Sequence, residues 1–233
     1  MVLKLTLFEW KQTSIWNYIL ITVTTAVFAT FALFIIGDGN VSRRWIALDT
    51  LYIVLGIAIQ ICRHPSFVQP TSQKGSDIHI LMRKLPLKNK DILYSRYLNS
   101  TVLHLCVYTV FFLIILLFST SFFDLVETNY LQVLLLLVCA GVFISSLYAA
   151  MESGVNIKPT ALAAIGGLLS IPILILLNIL YAITDGGVIV GLIRLTHYSP
   201  LFAIVLAMVV LLLSLLFWQS RTKKSMKRVD FHV

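Results

Sequence analysis

Five histidines and two adjacent serines are the residues of this chain whose types could do chemistry, and their placement argues against most of it. His104 is the one histidine inside a long apolar stretch, and Ser145 and Ser146 lie in the next such stretch. A hydrolase working inside a membrane needs a nucleophile and a base on adjoining helices at one depth. Spacing along the chain does not establish that meeting, so the simpler reading of His104 is a packed, hydrogen-bonded side chain. His64, His79, His197 and His232 are scattered in span and side, which gives no metal-ligand set, and no H-E-x-x-H run occurs. The sequence also lacks a G-x-x-x-x-G-K-[ST] loop, so the chain cannot cradle and hydrolyse ATP in the Walker manner. Cys62, Cys106 and Cys139 are an odd set with no pair in an oxidising outer loop, and they read as reduced packing residues. Neither a cofactor nor a metal is expected on this chain.

Hydropathy sets the elements that must position these residues. Hydrophobic residues make up 59% of the 233, above the roughly 45–50% of soluble domains. Apolar stretches lie at Ile15–Ile36, Trp45–Ile61, Leu98–Phe118, Tyr130–Ala150, Ala161–Ile183 and Leu201–Trp218. Each reaches or nears the roughly 20 residues that cross about 30 Å of hydrocarbon. The expected fold is therefore an all-α polytopic membrane protein, one transmembrane domain over residues 1–233 with six helices. The longest connection, 62–97, is too short for a soluble catalytic domain. With the amino terminus inside, 15 of the 18 Lys and Arg fall on the inner side; only Arg43, Arg44 and Arg194 fall outside. That bias places both termini in the cytoplasm. The net charge of +8 comes from these flanks, where orientation and anionic lipid explain it. Membrane lipid is thus an expected partner and nucleic acid is not. Span one is too long for a signal-peptide core and reads as an uncleaved anchor.

Local patterns refine this plan. Residues 1–14 carry Leu3, Leu7, Phe8 and Trp10 beside Lys4 and Lys11, which suits an amphipathic interfacial helix, although Leu5 points away from its main apolar side. Span one holds Thr22, Thr24, Thr25 and Thr30, read first as helix packing and second as a polar path. An acid inside a span, Asp49, is a functional-site hypothesis by default, but Arg43, Arg44 and Trp45 offer it a pairing at the outer interface. Span five opens with Ala161, Ala163, Ala164, Gly166 and Gly167, allowing close helix approach, and Pro172 predicts a kink. The apolar piece Val188–Ile193 is too short to span and reads as an outer half-helix.

The 62–97 loop is expected to contain a short amphipathic helix. Ser76 can cap it, with Asp77 in its first turn, and Arg83 and Lys84 suit its last. Ile78, Leu81, Met82 and Leu85 fall at i, i+3, i+4 and i+7, one apolar stripe that Pro86 ends. Such a helix can lie on lipid or enter a groove on a soluble partner.

The run from Leu85 to Leu98, LPLKNKDILYSRYL, resembles the segment leading into the third span of ABC-2 type permeases. These are the membrane subunits (type V exporters) of bacterial ATP-binding-cassette systems. The amphipathic start, six spans, long inner loop, outer half-helix and the Tyr198-Ser199-Pro200 entry to the last span are similar as well. The resemblance implies a bacterial cell-membrane protein partnered by a separate ATPase subunit, which holds ATP and Mg, and by a second copy or related permease. It implies an ATPase-coupling region within Pro70–Lys90, comprising Ser76, Asp77, Ile78, Leu81, Met82, Arg83, Lys84 and Leu85, with Glu152 in a smaller second contact. A translocation path past Thr22, Thr25, Tyr52 and Asn178 is expected on the same ground. Length and composition are similar to permeases of the staphylococcal exporter of phenol-soluble modulins, which implies an amphipathic peptide cargo. The other readings are an intramembrane protease or lipid-modifying enzyme, and a non-transporting immunity or assembly subunit.

Overall fold

The computed structural model describes residues 2–12, 15–37, 44–63, 89–126, 129–146, 179, 181 and 187–228. Their elements are α1 (Val2–Gln12), α2 (Ile15–Gly37), α3 (Arg44–Arg63), α4 (Asn89–Phe118), α5 (Thr120–Val126), α6 (Tyr130–Ser146), α7 (Gly187–Tyr198) and α8 (Pro200–Arg228). No strand occurs among the described residues. The all-helical expectation holds, and the apolar helices are compatible with a multi-pass membrane protein. Three of them, Ile15–Gly37, Lys90–Phe118 and Pro200–Ser220, are long and apolar enough to cross a bilayer. A fourth crossing results if α5 and α6, bent by 100°, act as one broken span. The described residues therefore carry three to four of the six expected spans. The expected fifth, 161–183, lies outside them but for residues 179 and 181. The second, α3, is a continuous 20-residue helix whose apolar part Ala47–Gly56 contains Asp49.

Packing follows the small residues. α4 and α6 cross at Gly141, where a Cβ would stand 2.3 Å from Cδ2 of Tyr108, so only glycine lets the ring lie against the helix backbone. In lipid, where water does not drive helices together, this kind of close contact is a main source of association. Tyr52 on α3 completes the core, its ring centroid 4.9 Å from Tyr108 and 5.5 Å from Phe112. Leu48, Leu55, Ile59, Phe111, Ile115 and Val133 fill in around these rings. A second cluster joins Ala203 and Ala207 of α8 to Leu136 and Cys139 of α6. Away from these faces α2 and α8 are covered with exposed Val, Phe, Leu and Met, as lipid-facing helices are.

Two elements differ from the sequence expectation. α4 begins at Asn89 rather than near Leu98, so the last nine residues assigned to the inner loop belong to a continuous 30-residue helix. At about 1.5 Å per residue this rod is about 45 Å long and exceeds the hydrocarbon thickness. α5 lies between the expected third and fourth spans, where no element is expected from the sequence. Ser119 starts it, its Oγ accepting from the N–H of Phe122 at 3.2 Å.

Candidate functional site

The first turn of α7 is built to receive an acid. Gly186 and Gly187 precede its apolar run, so the chain supplies no Ser, Thr, Asp or Asn side chain immediately before its first turn. Asp49 of α3 fills that role from 139 residues away. Its Oδ2 accepts from the N–H of Val188 at 2.6 Å, and its Oδ1 accepts from Ile189 at 3.0 Å. The side chain is 1% exposed. A carboxylate at a helix N-terminus meets both unpaired N–H groups and the positive end of the helix dipole. Gly187 has φ +74°, and a Cβ there would stand 2.3 Å from Oδ2. Glycine is thus required twice, by backbone and by space. This cap is the described contact of Asp49; the side chains of Arg44 and Trp45, expected beside it, are not described. Arg43 lies outside the described residues.

The other end of α7 is tied to a different part of the chain. His197 Nε2 donates to the carbonyl of Leu125 on α5 at 2.9 Å, and its Nδ1 faces Asn129 Nδ2 at 3.4 Å. A neutral imidazole with its proton on Nε2 satisfies both. Between the two ends Ile189, Val190, Ile193 and Thr196 are buried on one face, which rests on α3, α6 and α8.

A polar seam lies along the first half of α4. Ser95, Arg96, Asn99, Ser100 and His104 fall on successive turns of α4 and all are buried. α1 packs on this seam through Leu5 and Thr6. Trp10 Nε1 donates to Asn99 Oδ1 at 2.6 Å, and Thr6 lies 3.4 Å from Ser95 Oγ. The apparent misfit of Leu5 in the amphipathic pattern is thereby explained, because it faces protein. Leu3, Leu7 and Phe8 remain exposed beside Lys4 and Lys11.

His104 behaves as a packed side chain, its Nδ1 bonded to Ser100 O at 2.8 Å. Ser146 donates to Phe143 O of its own helix at 2.6 Å, and nothing is described of the Ser145 side chain. Thr22, Thr25 and Thr30 each donate to the carbonyl four residues back. Thr22 is exposed, whereas Thr25 and Tyr52 are buried in the core, and Tyr52 donates to Leu137 O on α6. Asn178, Glu152 and the coupling set Ser76, Asp77, Ile78, Leu81, Met82, Arg83, Lys84 and Leu85 lie outside the described residues. Among the described residues no group of three His, Cys, Asp or Glu side chains could hold a metal.

The Asp49 cap and the polar seam were not assigned from sequence. A glycine pair before an apolar half-helix, together with one acid inside a span, was the available signal for the cap. No family model matches the chain, and neither does any curated protein or solved structure.

Proposed function

We propose that this chain is the membrane-spanning permease subunit of an ATP-binding-cassette exporter of the ABC-2 type. In this reading the chain crosses the membrane six times with both termini in the cytoplasm. A separate ATPase subunit holds ATP and Mg, and a second copy or related permease completes the path. The observation that carries the reading is the continuity of α4. The LP segment that resembles the permease family enters a helix that runs unbroken from Asn89 to Phe118. A load applied to the loop before it therefore moves a rigid rod through the core rather than a slack linker. α1 is fixed to the inner part of that rod by Trp10 and Asn99, so the two tilt together. Rigid-body tilting of packed helices is a common mode of gating. The cargo that fits is amphipathic or apolar, a peptide toxin being one such, because among the described residues the exposed faces of α2 and α8 carry aromatic, aliphatic and hydroxyl groups but no acid.

The test is purification of the chain with a tagged ATPase subunit, followed by hydrolysis assays with and without amphipathic peptides. The chain alone should bind no nucleotide. The complex should hydrolyse ATP at a rate that amphipathic cargo alters, because cargo shifts only states it binds unequally. Cleavage of peptide or lipid by the chain alone, abolished by His104→Ala, would replace this reading with an enzyme.

A further inference from the structure

We propose that α7 is a lid over the outer end of the helix core, fixed at its first turn and caught by a releasable contact at its last. The two ends are held by unlike means. At the first turn a buried carboxylate accepts two backbone N–H groups, and Gly187 adopts a left-handed φ of +74° that leaves no room for a side chain. Charge-assisted bonds in a site without water are strong and slow to open. At the last turn, beside the buried Ile193 and Thr196, the side-chain tie is the exposed imidazole of His197, which holds one carbonyl and one amide, both open to competition from solvent. The first turn is therefore the pivot and the last turn the catch.

Two further observations place movement at the catch. α7 meets α8 through the single residue Ser199, whose Oγ accepts from Phe202 N at 3.3 Å, with Pro200 starting the next helix. Any outward tilt of α8 thus pulls on the His197 end of α7 and leaves the Asp49 end in place. The receiving side has slack as well. α5, which supplies Leu125 O, lies beside an apolar cavity of about 40 Å³ lined by Phe112, Leu116, Phe122, Tyr130, Val133 and Leu137.

The lid movement is a property of the chain alone; its use in releasing cargo rests on the exporter reading. Amide hydrogen exchange of the full chain in lipid nanodiscs tests the first part. His197→Ala should raise exchange over Ile193–Tyr198 by about tenfold or more and leave Val188 and Ile189 unchanged. An equal rise along the whole half-helix, or none, overturns the pivot-and-catch arrangement. The Asn129→Cys/His197→Cys pair, in a background carrying Cys62→Ser, Cys106→Ser and Cys139→Ala, provides the second measurement. Its disulfide should suppress exchange over Ile193–Tyr198 below the reduced level, and failure to do so counts against the catch. In the ATPase complex the same disulfide should stop export until reductant is added. Normal export with the disulfide closed refutes the lid. If no ATPase associates with the chain, the exporter reading falls while the exchange result still decides the lid.

Discussion

Removing the Asp49 carboxylate and crowding the same spot from Gly187 should be two routes to one lesion. Asp49→Ala leaves the N–H groups of Val188 and Ile189, now 2.6 and 3.0 Å from carboxylate oxygens, without that acceptor. Each buried donor left unmet costs about 1–3 kcal/mol, so the pair costs about 3 kcal/mol at a conservative mid-value. Gly187→Ala adds a Cβ that would stand 2.3 Å from Oδ2. It also places an L-residue at φ +74°, a strain of about 1–2 kcal/mol. The methyl displaces the carboxylate and so breaks the same cap, bringing the total to about 4–5 kcal/mol. In the double variant the cap is lost once and only the backbone strain is added. The combined cost should then be about 4–5 kcal/mol rather than the additive sum of about 7–8, a coupling of about 3 kcal/mol. Exchange of the Val188 and Ile189 amides in nanodiscs reads this directly. A loss of about 3 kcal/mol corresponds to about 100-fold faster exchange or more in Asp49→Ala. Thermal unfolding in detergent gives the global counterpart. Unchanged exchange in Asp49→Ala, or additivity within about 0.5 kcal/mol, would show that the carboxylate is not what holds the half-helix.

Three further outcomes follow from other contacts. Gly141→Val should destabilise the fold by about 2–4 kcal/mol, since even its Cβ meets the Tyr108 ring at 2.3 Å, and partial recovery in Gly141→Val/Tyr108→Leu checks the cause in thermal melts. Asn99→Leu removes the acceptor of Trp10 Nε1 and should free α1 at a cost of about 1–3 kcal/mol. A red-shifted, more quenchable Trp10 emission in a background with the other tryptophans replaced by Phe reports it. An unchanged spectrum refutes the seam as α1's anchor. Leu81→Asp places a charge in the expected coupling stripe and should abolish ATPase binding at normal membrane abundance; wild-type binding and export show the assignment to be wrong.

How much of this was legible in the sequence depends on how local each signal is. Hydrophobic length fixes helices within the reach of one window, and α2 runs Ile15–Gly37 against an expected Ile15–Ile36. α7 likewise grows from an apolar run that the sequence exposes openly. The early start of α4 was less legible because Lys90, Asp91 and Arg96 make its first turns polar. A window tuned to lipid stops where the hydrocarbon does, although the helix does not. Leu5 and Thr6 show the same limit from the other side. A single amphipathic axis cannot describe a helix that meets protein on one face and exposed surface on another.

Asp49 marks where local reading ends, and also what it can still indicate. Charge in a span is expensive, so its presence demands a partner, and the nearest cations in sequence are Arg43 and Arg44. Proximity in sequence is a poor guide here because a cap need not be a cation. Two N–H groups at a helix start offer a carboxylate hydrogen bonds and a favourable dipole without the desolvation of a second ion. The half-helix in turn has glycine where its own capping side chain would stand, and Gly187 leaves space that Oδ2 occupies. Each feature is a defect when taken alone: an acid in a membrane helix, and a helix without a cap. Together, across 139 residues, each supplies what the other lacks. That mutual need makes the pairing a stronger inference than either residue supports by itself, and it predicts that exchanging both partners costs less than the sum of exchanging each alone.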